Sequence, residues 1–189
     1  MDTARELHQL SDKQQDFLRN STSRINVAEG AVRSGKSHIA LLRFLIEIET
    51  GPPGPFLICA KSERTIKMNI IENLHKMIGN CFTYKQGMGE LNIFGRQIYL
   101  VGAHDARSEA KIRGPTFAGA LVDEVTILPE AFFTILVSRL SIPHSKMIAT
   151  TNPDSPFHWF KKDYLDREKE IDLRSWQNYL RKSQMILHQ

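Results

Sequence analysis

Residues 30–37 read Gly30-Ala31-Val32-Arg33-Ser34-Gly35-Lys36-Ser37, a complete G-x-x-x-x-G-K-[ST] phosphate-binding loop. No other stretch constrains the fold as strongly, because such a loop works only between a strand and a helix. Both flanks are present: a short apolar run, Ile25 to Ala28, precedes it, and a strongly apolar stretch, Ile39 to Ile48, follows. The glycines let consecutive backbone N–H groups turn inward on a phosphate, and the helix adds its positive N-terminal end. In this reading Lys36 neutralises the β- and γ-phosphates and the Ser37 hydroxyl holds Mg²⁺. The plain alternative is a glycine-containing turn with an incidental Lys-Ser, and it gives no reason for the strand and helix on either side. The expected ligand is a nucleoside triphosphate.

The rest of the chain alternates as an α/β domain does. Residues 1–20 are polar and helical in pattern from about Asp12, closing on a turn at Asn20-Ser21. The helix from Lys36 is predicted to end near Thr50-Gly51, because Pro52, Pro53 and Pro55 forbid its continuation. Phe56-Leu57-Ile58-Cys59-Ala60 is an unbroken apolar run of the kind a buried parallel strand shows. Ser62 then caps a helix whose Ile66, Ile70, Leu74 and Met77/Ile78 form a stripe of period 3.6, read as core packing. From Phe82 to Ala103 the period becomes two, which predicts an antiparallel hairpin about Gly95-Arg96, inserted beside the main sheet. Residues 104–116 are charged and then turn-like. Strands at Gly119–Val122 and Lys146–Thr150 follow, separated by a helix starting after Pro129. The expected divisions are 1–20, a core over 21–155 that closes near residue 153, and a polar helical segment over 156–189.

Ala120-Leu121-Val122-Asp123-Glu124 is the second landmark. An apolar strand running into two adjacent carboxylates is costly to bury unless a cation compensates. Mg²⁺ on a triphosphate is such a cation, with Asp123 holding it and Glu124 polarising the water that attacks the γ-phosphate. Taken alone, a solvated Asp-Glu at a strand end would explain the pair. Together with the phosphate loop, the functional reading prevails. A third landmark, Thr150-Thr151-Asn152-Pro153, ends the last strand. In a parallel sheet the carboxyl ends line the ligand crevice, so these groups would face the same phosphates; an ordinary strand-ending turn is the alternative.

Composition narrows the setting. At 189 residues the chain suits one well-buried domain, and its net charge of +4 permits a polyanionic partner without requiring one. Cys59 and Cys81, the only cysteines, are expected as buried free thiols. No signal, lipidation site or apolar run of transmembrane length is read, so a reducing cytoplasm without membrane attachment is expected.

The three segments in this order resemble the ATPase domain of a tailed-bacteriophage terminase large subunit. Arg33 inside the loop, Lys111-Ile112-Arg113-Gly114 ahead of the carboxylate pair, and the Thr-Thr-Asn-Pro ending sharpen the resemblance, which runs from about Ser11 to Arg167. It implies a RecA-like, additional-strand P-loop NTPase, with a mostly parallel sheet flanked by helices. The implied activity is Mg²⁺-dependent ATP hydrolysis that drives double-stranded DNA into a procapsid, by a homo-oligomeric ring working with a portal protein and a small terminase subunit. The implied place is the host cytoplasm and, transiently, the procapsid portal. Gln14 would contact adenine, and Arg33 would sense the γ-phosphate. Arg113 would be supplied to a neighbouring subunit's ATP, while Thr150 to Asn152 would couple hydrolysis to movement. Either arginine could instead be a surface or ion-pairing residue. Arg107 and Lys111 read as a DNA-facing patch or, more simply, as a solvated charged helix.

The family normally continues into an RNase H-like nuclease domain. Here Trp176-Gln177-Asn178-Tyr179 and a polar tail to Gln189 align with nothing in it. Cleavage of DNA is therefore not carried over, and an excised ATPase domain, a split or truncated gene, or a change of frame near residue 177 is expected. Two other functions stay open: a catalytically incomplete nucleotide-binding module, and a helicase-like repair ATPase, which would need a second RecA-like domain.

Overall fold

The computed structural model describes residues 10–31, 33–104, 106–152 and 157–166. Val32, Pro153 and the tail from residue 167 lie outside the described residues, as do residues 1–9. Contacts divide the chain into a unit ending at Asn152 and a second unit beginning at Pro153.

The first unit is built on one seven-stranded sheet in the order β1-β7-β6-β2-β5-β4-β3. Its strands are β1 (Ile25–Glu29), β2 (Phe56–Ala60), β3 (Phe82–Lys85), β4 (Glu90–Ile93), β5 (Arg96–Gly102), β6 (Gly119–Val122) and β7 (Lys146–Thr151). From β1 across to β5 every pairing is parallel, whereas β4 and β3 run antiparallel at one edge. Every residue of the central strand β2 is buried, as expected for a parallel strand covered on both faces. The helices are α1 (Asp12–Asn20), α2 (Lys36–Thr50), α3 (Glu63–Ile66), α4 (Glu72–Ile78), α5 (Ala106–Arg113) and α6 (Glu130–Arg139). A single π turn, Lys67–Ile71, joins α3 to α4.

The core forms where α2 lays Ala40, Leu41, Phe44, Leu45 and Ile48 against Phe56, Ile58, Leu121 and Ile148 of the sheet. Phe44 meets Phe56 edge to face, with ring centroids 5.8 Å apart. Ser62 caps α3 by accepting from the Thr65 N–H. Gly102, at the end of β5, is required there: a Cβ would come within 2.6 Å of the Glu63 backbone nitrogen.

The hairpin expected beside the sheet is continuous with it. Its turn lies at Phe94 and Gly95, both at positive φ, one residue before the expected position. Beyond that turn β5 pairs directly with β2, so the hairpin extends the main sheet. The charged stretch 104–116 contains α5. That helix is anchored by the buried Ile112 and by the Ser108 hydroxyl, which donates to the Gly102 carbonyl at 2.6 Å. Two buried side chains among its described residues are too few to show a helical stripe. Cys59 is buried but Cys81 is exposed, contrary to expectation. Cys81 follows the Gly79 break and enters the edge strand β3, where alternate residues face solvent.

In the second unit Phe160 stacks on Tyr164, with centroids 5.4 Å apart and planes 20° from parallel. A second π turn, Lys161–Leu165, lies in the same stretch.

Candidate functional site

The phosphate loop leaves β1 at the sheet's edge and is tied to the neighbouring strand, since the Gly30 N–H donates to the Thr151 carbonyl at 3.3 Å. Its turn requires two left-handed residues, Arg33 at φ 64° and Gly35 at φ 82°. The Ser34 N–H closes back on the Ala31 carbonyl at 3.2 Å. Lys36 arches over the loop, its Nζ donating to the Ala31 carbonyl at 2.6 Å and lying 3.5 Å from Ser34 Oγ. No side chain caps the N-terminus of α2. Its first N–H groups thus keep the donor capacity that an anion at a helix N-terminus uses.

Gln14 reaches the same loop from α1. Its Oε1 accepts from the Ser11 N–H at 3.0 Å in a reciprocal capping box, which fixes the side chain. Its Nε2 then lies against Gly35, where a Cβ would sit 2.5 Å from it. Glycine at 35 thus answers both the left-handed turn and the close approach of Gln14.

The two adjacent carboxylates part company at the end of β6. Asp123 is 1% exposed, and its N–H continues the ladder to the Cys59 carbonyl at 2.9 Å. Its Oδ1 accepts from the Thr150 hydroxyl at 3.0 Å and lies 3.5 Å from Ser37 Oγ. Its Oδ2 accepts from Asn69 Nδ2 at 3.0 Å. Glu124 instead takes a left-handed conformation, φ 53° and ψ 62°, which breaks the strand. The Glu124 N–H donates to Thr150 Oγ1 at 2.9 Å, and its carboxylate accepts from Asn152 Nδ2 at 3.2 Å. A non-glycine residue in this region is held there only by its surroundings, and such residues cluster at functional sites. Behind the pair, burial, and secondarily the Asp123 charge, push the Cys59 thiol well above its ordinary range, so it acts as an uncharged packing group.

Gly30, Ala31, Ser34, Gly35, Lys36, Ser37, Asp123, Glu124, Asn152 and Gln14 therefore gather at the carboxyl ends of β1, β7 and β6. The Thr151 hydroxyl turns to Thr126 at 3.2 Å and to the Asn152 carbonyl, so only its backbone meets the loop. Arg33 is exposed and has no hydrogen-bond partner among the described residues. Arg113 is also exposed and pairs with Glu109 of its own helix at 3.0 Å. Neither arginine touches the carboxylates. Asn69 carried no sequence signal, because it is a lone polar residue between members of a helical stripe that reads as core.

Among the described residues no three His, Cys, Asp or Glu side chains converge as a metal cage. The Ser37 hydroxyl and the Asp123 carboxylate are an oxygen-only pair beside a phosphate loop. That donor set fits Mg²⁺, which keeps several waters and binds through one or two protein groups plus phosphate oxygens.

Residues 27–181 match the family profile described as terminase large subunit, T4-like-virus type, N-terminal. The chain belongs to the terminase large subunit family. It is its N-terminal ATPase domain, and the mixed, mostly parallel sheet is that of terminase ATPases. No curated protein matches the terminase chain significantly. It is similar to the large terminase of the thermophilic bacteriophage D6E, with 26% identity and a TM-score of 0.74 over 84% of this chain and 43% of that one. The D6E protein in complex with ATP-γ-S matches at 25% identity and a TM-score of 0.70, over 84% and 42% of the two chains. The large terminase ATPase domain of Thermus phage P74-26 shares the fold, with 17% identity and a TM-score of 0.62 over 80% and 68%. The terminase chain thus spans less than half the length of the D6E protein.

Proposed function

We propose that this domain hydrolyses ATP with Mg²⁺ and that, in an assembled ring, the hydrolysis drives double-stranded DNA into a procapsid through a portal protein, with a small terminase subunit as a further partner. The observation that carries the reading is the division of labour at the end of β6. Asp123 faces Ser37 of the phosphate loop, while Glu124, one residue on, is held by Asn152. A second carboxylate held in a strained backbone conformation beside the first supports hydrolysis over binding alone. The D6E terminase, solved with ATP-γ-S, supports the choice of nucleotide.

In this reading the loop N–H groups and Lys36 cradle the β- and γ-phosphates, and Gln14, fixed against Gly35, lies on the adenine side. Ser37 and Asp123 hold Mg²⁺, which when bound offsets charge on the phosphate oxygens. A water oxygen attacks the γ-phosphorus in line and gives its proton to the Glu124 carboxylate. The bond to the β-phosphate oxygen breaks, and ADP and phosphate leave. Asn152 keeps Glu124 aimed, so loss of the γ-phosphate would be felt at the end of β7. Arg33, at the exposed tip of the loop, is the candidate for contacting the γ-phosphate directly.

Lys36→Ala and Glu124→Gln separate binding from chemistry. Lys36→Ala is expected to lose affinity for a fluorescent ATP analogue together with turnover. Glu124→Gln is expected to bind the analogue as the wild type does while kcat falls by about 10²–10⁴-fold, the usual worth of a general base. Wild-type hydrolysis by Glu124→Gln would remove Glu124 from the role.

A further inference from the structure

One helix of the domain departs from its own hydrogen-bond pattern beside the site. In the π turn between α3 and α4 the Glu72 N–H donates to the Lys67 carbonyl, five residues back. Such turns are rare and fall frequently at functional sites. Within this turn Asn69 is presented to the end of β6, where its Nδ2 donates to Asp123 Oδ2 at 3.0 Å. The Asn69 carbonyl accepts from Asn73 Nδ2 at 2.5 Å, so the residue is held from behind as well. The opposite amide orientation would set the Asn69 oxygen against a carboxylate oxygen, so chemistry determines which end faces Asp123.

We propose that Asn69 is a positioning residue for Asp123: the π turn delivers its amide N–H to Oδ2, which sets the rotation of the carboxylate so that Oδ1 faces Ser37. Thr150 steadies Oδ1 from the other side. An amide suits this task because it donates without bringing charge. An ammonium in the same place would cancel the carboxylate and compete with the cation. The inference rests on the reading of Asp123 as the Mg²⁺-holding residue.

The test compares wild type, Asn69→Leu and Asn69→Gln by the affinity of a fluorescent ATP analogue measured in EDTA and again in Mg²⁺, beside kcat and melting temperature. Leu keeps the volume and removes the donor, whereas Gln keeps a donor. Groups that hold a metal ligand from behind are worth roughly 10- to 100-fold in metal affinity or activity. Asn69→Leu is therefore expected to keep the wild-type affinity in EDTA and to lose about that factor from the Mg²⁺-dependent gain in affinity and from kcat. Asn69→Gln is expected to recover part of both. A loss in neither variant overturns the proposal, and so does the same loss in both, which would make packing the cause. If the wild type itself gained no affinity from Mg²⁺, the ATPase reading would fall first and this inference with it.

Discussion

The Thr150 side chain holds both residues of the acidic pair, Asp123 by its carboxylate and Glu124 by its backbone. Its hydroxyl donates to Asp123 Oδ1 and accepts from the Glu124 N–H, so a single oxygen joins the strand end to the strained residue after it. Thr150→Val is close in shape and removes both bonds, leaving the half-buried Glu124 N–H without its partner and Asp123 Oδ1 with only Ser37 Oγ, 3.5 Å away. A polar group left unmade in this way costs about 1–3 kcal/mol. Urea denaturation should show a loss of that size, and kcat should fall with it; Thr150→Ser, which keeps the hydroxyl, should retain most of both. Equal stability in Thr150→Val would mean that Asn69 and Asn152 suffice to hold the pair. The loop residues were readable as a group because their roles depend on neighbours in sequence: a glycine turn, a lysine and a hydroxyl within eight positions. Asn69 was not, since its contact depends on where one π turn places it against a strand 54 residues away.

At the level of elements, α2 does more than cover the sheet. Its stripe of apolar residues is interrupted by Arg43 and Glu47, both buried. Glu47 accepts from Arg43 at 3.1 Å and from Lys146 at the start of β7 at 3.1 Å. Arg43 also donates to the Ser21 carbonyl at 3.0 Å, which joins the end of α1 to the same cluster. Removing the shared anion would leave two cations facing each other in a poorly solvated place. Glu47→Gln should destabilise the domain by about 3–5 kcal/mol, the usual consequence of breaking a buried pair from one side. The shift of the urea midpoint measures it, and a change under about 1 kcal/mol would show that water already screens the cluster. The elements of this region were legible because they follow unbroken apolar runs bounded by Gly and Pro. The ion cluster was not, because charged residues on a helix pattern read as a solvated face. The continuity of the hairpin with the sheet was hidden for a related reason: period two marks an exposed antiparallel strand, and β5 is antiparallel on one edge yet parallel on the other.

For the whole molecule the outstanding element is a cation at the transition state. Among the described residues neither Arg33 nor Arg113 reaches the carboxylates, and Arg113 is exposed on α5 with only Glu109 as its partner. An exposed arginine held by one helix neighbour is free to exchange that weak pair for a phosphate on an adjoining copy. In a cyclic assembly with heterologous contacts every site would then be completed by its neighbour. An arginine supplied in this way can be worth 10³–10⁵-fold in rate, so Arg113→Ala alone should be nearly inactive, as should Glu124→Gln. Mixed in equal amounts, the two variants should regain activity, because roughly one interface in four of a ring with head-to-tail contacts pairs an intact Glu124 with an intact Arg113. Specific activity of the wild type should rise with protein concentration over the same range. Full activity in Arg113→Ala, or a mixture no better than its components, would place the stabilising cation within the chain and leave Arg33 to supply it.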